Sequence, residues 1–380
     1  MTVACEGRRW LVGVAALVIT FALCACAGPD VDSDADVGGD ADSGVALDTG
    51  AAPDSDTDAG ASTDAADGLA ETQAAPTWTT VHEELPGALL SIWGLSSADI
   101  WTVGADRKDG KGPLVMRGDG SSWATLETGA TGHLWSVYSA QPGTVWMVGT
   151  NGKILRYDVA TQVFTALASP TDATLYGVWG ASDGPMWSVG GYLGGLKPGV
   201  VVRIDGDTAT KVTDLPELAA TNGLLFKVWG PTADDVWVAG DDGTLLHFDG
   251  KTWTATTLPG EPRLVTVHGS GPDDIAVVGG WASSVVFERR DGGDWVEVSP
   301  VVQGPPLAGV FVRDGMAIAT GMAGAVLARG GDGWDWLPFP PTDLDFHACW
   351  IDSAGGYWFV GGALGSLTAM NHGVMLRYAP

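Results

Sequence analysis

LFKVWGPTADDVWVAG, residues 225–240, is the stretch of sequence that decides the fold. Two short apolar runs, 225–230 and 236–240, flank the turn-forming residues 231–235. Runs of this length, rich in β-branched and aromatic residues and bounded by Pro, Asp and Gly, predict two strands joined by a turn. The same pair recurs along the C-terminal four-fifths of the chain, so the architecture is a repeat.

The glycine that ends the second run fixes the period of this repeat. It falls at Gly104, Gly149, Gly190, Gly240, Gly279, Gly321 and Gly361, in steps of 45, 41, 50, 39, 42 and 40 residues. Each unit continues with a third apolar run, an Asp-Gly type of turn and a fourth run that opens with an aromatic residue, as at Trp253. Four strands in a period of about 40–45 residues predict an all-β fold, a seven-bladed β-propeller of four-stranded antiparallel blades over residues 76–380.

The last unit stops at its third strand, since the chain ends at residues 374–380, VMLRYAP. At the other end, residues 77–82, TWTTVH, match the fourth-strand pattern of residues 252–256, TWTAT. We therefore predict that the N-terminal strand completes the last blade and closes the ring, which removes free sheet edges.

Aromatic residues occupy two positions in most units, as Trp229 and Trp237 do in the fourth. Strand periodicity places them where neighbouring sheets meet, so we interpret them first as packing between blades. Stacking against a sugar ring is the rarer alternative for these indoles.

The first 25 residues predict an export signal. Arg8-Arg9 precede an apolar run of sixteen residues, 10–25, which is shorter than the roughly 20 residues that span a bilayer. This run meets Leu-Cys-Ala-Cys at 23–26, which resembles the bacterial lipoprotein box. The resemblance implies that Cys26 becomes the acylated N-terminus, with residues 1–25 as lipoprotein signal peptide, and that the protein is held in the cell envelope, at the outer membrane.

Residues 26–75 predict an acidic disordered tether. Residues 27–75 hold twelve Asp and one Glu, with no Lys, Arg or aromatic residue. Such a segment buries too little apolar surface to fold, and a flexible chain of this length spans about 40 Å. Alternating carboxylates at Asp32, Asp34 and Asp36 leave calcium binding as an alternative, but the Gly and distal Glu of an EF-hand loop are missing.

The net charge of −27, with 19 basic against 46 acidic residues, argues against nucleic acid or an anionic membrane surface as partner. Three of the four cysteines lie in the first 26 residues, so the propeller holds one thiol, Cys349, and no internal disulfide. His347 lies two residues before it and His268 in another blade. Two histidines are too few for a metal site, and no acid orients a Cys–His pair. We therefore expect no metal, no cofactor and no catalytic residue.

The repeat L-x-x-V-W-G…W-x-V-G…L-(H/R)-(Y/F)-(D/G)-G-x-(T/S)-W resembles the tryptophan-rich seven-bladed propeller repeats of myxobacterial lipoproteins. More distantly it is similar to the propellers of photosystem II assembly factors and of the sialidase superfamily. The resemblance implies the fold. It does not imply glycosidase activity, because residues 248–253, FDGKTW, keep only part of a sialidase Asp-box and no arginine trio is present.

Three of the loops between second and third strands are long: 105–113, 191–199 and 362–373. They belong to blades one, three and seven, and they carry the candidate binding residues Arg107, Lys108, Lys111, Lys197 and His372. We expect these loops to form a raised arc at the channel mouth that binds a partner with acidic or polar groups. Ordinary variation in loop length is the alternative.

These patterns favour a non-catalytic binding or scaffolding module in the cell envelope, monomeric, with an envelope protein or a glycan as partner. The alternatives are a polysaccharide-active enzyme of the sialidase-like type and a purely structural surface protein. An enzyme of that type would need a pair of carboxyl groups about 5–9 Å apart with raised pKa values.

Overall fold

The computed structural model describes residues 76–194, 197–217, 223–331, 333–366 and 368–380. In these residues, 28 strands form seven antiparallel sheets of four strands arranged as a ring, which confirms the predicted seven-bladed β-propeller. Short 3₁₀ turns follow the second strand at Thr150–Gly152 and Met322–Gly324. The predicted signal peptide, Cys26 and the tether lie outside the described residues. In the part of the chain described here, no helix has the length and apolar character needed to span a membrane.

The blades follow one another along the chain. Blades one to three comprise β2 (Leu89–Ser96), β3 (Asp99–Asp106), β4 (Pro113–Gly118) and β5 (Trp123–Thr125); β6 (Leu134–Tyr138), β7 (Thr144–Gly149), β8 (Ile154–Asp158) and β9 (Val163–Ala166); β10 (Thr174–Gly180), β11 (Met186–Gly191), β12 (Val200–Asp205) and β13 (Thr208–Lys211). Blades four to six comprise β14 (Leu225–Thr232), β15 (Asp235–Gly240), β16 (Thr244–Phe248) and β17 (Trp253–Thr257); β18 (Leu264–Gly271), β19 (Asp274–Gly279), β20 (Val285–Arg290) and β21 (Trp295–Glu297); β22 (Leu307–Arg313), β23 (Met316–Gly321), β24 (Val326–Gly330) and β25 (Gly333–Trp336). Blade seven comprises β26 (Asp345–Ile351), β27 (Tyr357–Ala363), β28 (Asn371–Ala379) and β1 (Thr77–Leu85).

The closing strand lies where the sequence predicts it. β1 pairs antiparallel with β28, from Thr77 opposite Ala379 to Leu85 opposite Gly373. The indole of Trp78 packs 4.8 Å from the ring of Tyr378, and its Nε1 donates a hydrogen bond of 3.1 Å to the carbonyl of Pro338 in the preceding blade. The prediction that both ends of the propeller meet in the last blade is confirmed.

The second-strand tryptophans pack between blades, which confirms the interpretation of them as core. The ring of Trp187 in blade three lies 5.4 Å from that of Trp253 in blade four, and Trp237 in blade four lies 5.4 Å from Trp295 in blade five. Across the ladder, the guanidinium of an arginine covers several of these indoles, as Arg203 does at 5.5 Å from Trp187. Aromatic side chains therefore pack between neighbouring blades. Apolar burial and cation–π contacts stabilise this packing.

Blades five and six replace the second-strand tryptophan with Ala276 and Ile318, as the sequence indicates. The structure shows what accompanies this loss. Opposite Ala276 stands Glu288, which is 8% exposed and accepts hydrogen bonds from Trp334 Nε1 and Arg329 Nη1, each at 3.0 Å. A buried carboxylate–arginine network thus joins these two blades.

Candidate binding site at the channel mouth

The ring has two faces with different connections. The loops between second and third strands and those between blades lie on one side, named here the loop face. The tight turns between first and second strands, and between third and fourth strands, lie on the other side, named here the turn face. The first strand of each blade runs from the loop face to the turn face and borders the central channel.

Every first strand carries a register irregularity at the same point, such as the one between Leu225 and Lys227. Because all seven first strands carry this extra residue at the same point, their channel-facing side chains form three layers, each with one residue from each blade. The layer nearest the loop face is Leu90, Trp135, Tyr176, Phe226, Val265, Ala308 and His347. The middle layer is Ser91, Ser136, Gly177, Lys227, Thr266, Gly309 and Ala348. The layer nearest the turn face is Trp93, Tyr138, Trp179, Trp229, His268, Phe311 and Trp350.

The third layer surrounds a cavity of about 540 Å³ that opens on the turn face. We name it the aromatic bowl; its rings are Trp93, Tyr138, Trp179, Trp229, His268 and Phe311. Neighbouring rings touch: Trp93 lies 4.6 Å from Tyr138, and His268 stacks on Phe311 at 4.1 Å with 26° between the ring planes. Trp93 also contacts His268 and Phe311 on the opposite side of the channel, at 6.3 and 5.9 Å between ring centres, so several of these rings support one another.

A glycine follows most of these aromatic residues, and the structure gives the reason. A Cβ on Gly230 would stand 3.0 Å from the ring of Trp179, and one on Gly269 would stand 2.5 Å from the ring of Trp229. The indoles of Trp179 and Trp229 therefore each lie over the glycine of the next blade. The V-W-G motif encodes a ring in which a side chain of one blade fills the space left by the missing side chain of its neighbour.

The rim of the bowl is acidic. Asp183, Asp234 and Asp314 lie in three of the first-to-second-strand turns that line the cavity. One arginine, Arg313, joins them, and its Nη1 donates a hydrogen bond of 2.5 Å to the carbonyl of Ile351. The rim therefore combines three carboxylates with a guanidinium that is already engaged. Cations are attracted both to such a rim and to the faces of the rings below it.

The loop-face end of the channel is closed. Leu90, Trp135, Tyr176 and Phe226 form a buried apolar cluster with Met370, which comes from the long loop of blade seven. The carbonyl of Met370 accepts a hydrogen bond of 3.3 Å from the backbone N–H of Ala88. The channel therefore opens toward the turn face, opposite the predicted arc of long loops.

The predicted arc residues lie on the loop face. Arg107 is held within its own blade: its side chain is 5% exposed, and its Nη2 donates to the carbonyl of Lys111 and to Glu127. Its Nε donates to the carbonyl of Gly112. Arg107 thus shapes the loop, whereas Lys108 and Lys111 are exposed.

The other two predicted residues have local contacts as well. The Lys197 ammonium lies 4.1 Å from the ring centre of Tyr192, whose hydroxyl donates to Asp172 at 2.6 Å. His372 Nδ1 lies 2.5 Å from Glu84 Oε2 on the closing strand. Four of the five residues lie in loops and His372 lies near the start of β28, all on one face, and their role in binding stays a prediction.

His347 and Cys349 do not work as a pair. Because the strand irregularity lies between Phe346 and Ala348, the ring of His347 belongs to the closed end of the channel, where Nδ1 donates to the carbonyl of Leu90 at 2.6 Å. Cys349 is buried, and its Sγ contacts the carbonyl of Ile318 at 3.7 Å. Burial raises the pKa of the Cys349 thiol and, with the nearby Lys227 ammonium, lowers the pKa of His347 to about 4. A thiol with a raised pKa is a poor nucleophile.

Two carboxyl groups of the described residues have a raised pKa, Asp241 and Asp345, in both cases because of burial. They belong to blades four and seven, on the loop face. Asp241 pairs with Arg263 Nε at 2.7 Å, and Asp345 accepts the backbone N–H of Ala323 at 2.9 Å. Two blades separate them, so they do not form the close acid pair that a glycosidase requires.

Comparison with solved structures identifies the fold alone. YCF48, a photosystem II assembly factor, is similar in a complex described as bound to D1 peptide: TM-score 0.58, 15% identity, 80% of this chain and 97% of that chain. YCF48 from Cyanidioschyzon merolae gives a TM-score of 0.59 with 14% identity over 80% of this chain and 98% of that one. The WD40 propeller domain of Doa1 gives 0.57 with 10% identity over 79% and 96%. No known family model matches the sequence. No curated protein matches it either.

Proposed function

We propose that this chain is a non-catalytic binding module that seats a basic segment of a peptide or protein partner in the aromatic bowl. The observation that carries this proposal is the ring of six aromatic side chains around an open cavity of about 540 Å³. Ligand pockets have volumes of about 300–1,000 Å³ and are lined by aromatic residues with a few polar groups. The aromatic bowl meets this description.

A basic ligand follows from the chemistry of the wall and the rim. Aromatic faces attract ammonium and guanidinium groups by about 0.5–2 kcal/mol each, and more as water is excluded. Asp183, Asp234 and Asp314 supply the complementary charge at the entrance. The net charge of −27 also steers basic partners toward the protein.

The fold comparisons support a binding role. One similar structure is YCF48 bound to D1 peptide, and WD40 propellers have the same architecture. The absence of a close pair of raised-pKa acids among the described residues gives the polysaccharide-active alternative no structural support.

The location remains part of the proposal. Residues 1–25 would direct export, Cys26 would carry the lipid, and residues 27–75 would hold the propeller away from an envelope membrane, at the outer membrane. The lysines of the loop-face arc, Lys108, Lys111 and Lys197, would offer a second surface for an acidic protein or a glycan. We propose that the protein is a monomer, because closure of the ring leaves each sheet complete.

A pair of matched tryptophan variants tests the bowl. Trp93→Leu removes one ring of the bowl without changing the charge, whereas Trp281→Leu removes an indole that is 54% exposed on the loop face. The probe is a fluorescein-labelled arginine-rich hexapeptide, titrated against the full chain by fluorescence anisotropy. Loss of one cation–π contact of about 1 kcal/mol weakens binding about fivefold in the Trp93 variant.

Charge variants separate the rim from the general charge of the chain. Asp234→Asn combined with Asp314→Asn should weaken binding further, and Asn at the exposed Asp294 should leave it unchanged. Equal losses in the Trp93 and Trp281 variants would place the binding outside the bowl. An unchanged affinity in the Trp93 variant would have the same meaning.

A further inference from the structure

We propose that the central channel contains a binding site for a small monovalent anion, held by the ammonium group of Lys227. This site is distinct from the aromatic bowl, and it would exist whatever ligand the bowl binds.

Lys227 is the exception in its layer. The other six middle-layer residues are Ser91, Ser136, Gly177, Thr266, Gly309 and Ala348. Because these are small, they leave a channel cavity of about 80 Å³, which Lys227 lines. No Asp, Glu or Arg is among the residues that line this cavity, so the ammonium of Lys227 faces it without a counter-charge.

The hydrogen bonding of Lys227 is incomplete. Its one hydrogen bond among the described contacts joins Nζ to the carbonyl of Tyr176 at 3.4 Å, at the long limit for such a bond. An ammonium group has three hydrogens to donate. A cation removed from bulk water and left without a partner is costly, and a bound anion is the direct way to offset that cost.

Residues with further donor groups line the same cavity. The backbone N–H of Val312 donates to His268 Nδ1 at 3.1 Å, so the proton of the neutral ring is on Nε2, which is buried without a hydrogen-bond partner. Ser91 and Ser136 accept backbone N–H groups through Oγ at 3.3 and 3.4 Å, which leaves their hydroxyl hydrogens able to turn toward the cavity. Neutral His347, whose Nδ1 donates to Leu90, adds one ring acceptor at Nε2 to the lining, so the donor groups of Lys227, His268, Ser91 and Ser136 still outnumber the ring acceptors.

The charge state of the neighbours supports this assignment. Burial, with the charge of Arg313, lowers the pKa of His268 to about 3, and burial, with the charge of Lys227, lowers that of His347 to about 4. Burial raises the pKa values of Tyr138 and Cys349. At neutral pH all four are uncharged, so Lys227 supplies the one charge among the residues that line the channel cavity.

The size and the entrance define the ligand. A cavity of about 80 Å³ holds a few water molecules or one halide ion with its remaining water. It shares six of its seven aromatic lining residues with the bowl, all but His347, and the apolar cluster closes the other end. A small anion would enter from the turn face past Trp93, whose ring contacts His268 and Phe311 across the channel. Once bound, it would neutralise the floor of the bowl.

A melting experiment on the full chain tests the site. Bromide and gluconate are compared as sodium salts at equal ionic strength and pH 7, because gluconate is too large for the cavity. Bromide should raise the melting temperature of the unaltered chain in a saturable way. Lys227→Met should abolish the difference between the two salts, whereas Lys251→Met, at an exposed position, should keep it.

The pH dependence has a defined sign. Burial lowers the pKa of Lys227 to about 8 when no anion is present, below the value of about 10.4 in an unfolded chain. The cost of the buried charge is therefore full below pH 8 and is relieved as the pH rises toward 10. In gluconate the melting temperature should rise over this window relative to the Lys227→Met variant, and bromide should flatten that rise.

Anomalous diffraction from crystals grown in sodium bromide locates the ion without any variant. The expected result is a bromide peak within hydrogen-bonding distance of Lys227 Nζ. Equal melting in the two salts, or diffraction data with no peak in the channel, would overturn the proposal and show that the cavity holds water alone. The diffraction result decides the matter even if Lys227→Met fails to fold.

Discussion

The indole of Trp229 lies directly over Gly269 of the next blade, so that a Cβ on this glycine would stand 2.5 Å from the ring. The same relation joins Trp179 to Gly230 and, across the closure of the ring, Trp350 to Gly94. The tryptophan and the glycine of the V-W-G motif therefore serve different blades. This relation joins blade three to blade four, blade four to blade five and blade seven to blade one.

Gly269→Ala should destabilise the propeller by about 1–3 kcal/mol, because the added methyl group overlaps the Trp229 ring and the carbonyl of Asp274. Gly271→Ala on the same strand is the matched control, since nothing lies within 4 Å of its Cβ position. Urea unfolding followed by tryptophan fluorescence measures both. Equal midpoints for the two variants would contradict this packing relation.

Glu288→Ala should lower the free energy of unfolding by about 2–4 kcal/mol. The reason is that Arg329, whose side chain is 5% exposed, would keep less counter-charge in a buried place. Glu297→Ala on the neighbouring strand removes an exposed carboxylate and should change stability little. A double-mutant cycle with Arg329→Ala measures the coupling between the two groups. Additive effects would show that the network does not act as a unit.

Deletion of residues 76–84 should make the domain aggregate, because β28 then becomes a free edge of nine residues. Soluble yield and size-exclusion chromatography report the change. Deletion of residues 27–75, which keeps β1, should leave the melting temperature unaltered. A soluble monomer with an unchanged melting temperature after loss of 76–84 would refute the closing role of β1.

Asp352 should make stability depend on acid pH. Burial acts to raise the pKa of this carboxyl group, but hydrogen bonds from Trp358 Nε1 and backbone N–H groups, together with Arg377, lower it overall. A lowered pKa in the folded state gives stability that is present above the ordinary value of about 3.9 and is lost as the pH falls through the folded value.

Asp352→Asn should therefore be less stable than the unaltered chain by about 1–3 kcal/mol at pH 7, and this difference should shrink below about pH 4. Urea midpoints across the pH range measure it, with Asn at the exposed Asp294 as control. A difference that stays constant down to pH 2 would show that the charge of Asp352 contributes nothing.

The repeat made the architecture predictable, because the same strand pattern recurs at a steady period and the orphan strand at residues 77–82 matches the missing one. The depth of the channel residues was not predictable in this way. Simple alternation places His347 and Cys349 on one face, whereas the irregularity between Phe346 and Ala348 separates them. No residue type marks that irregularity, since its position follows from the pairing of two strands.

The site was only partly predictable for a similar reason. The aromatic residues at the ends of the first strands are visible in the sequence, but the pattern indicates packing residues. In the structure, most of them both pack and line the bowl. Long basic loops directed the prediction to the loop face. In the structure, the blade-seven loop instead carries Met370 into the closed end of the channel. The place of the half-buried Lys227 in the channel depends on six small residues from other blades, which no local pattern reveals.

The pairing of Thr77 with Ala379 has a mechanical consequence. Because β28 runs from the loop face to the turn face, the chain enters β1 on the turn-face side of blade seven. A pull on the residues before Pro76 is therefore applied first to the outermost strand, at the end where its ladder begins. Tension would strip β1 from β28 pair by pair before it reached the other six blades. The strand that closes the ring would therefore be the first to detach under load. A partner bound in the aromatic bowl would pull on the same face of the protein.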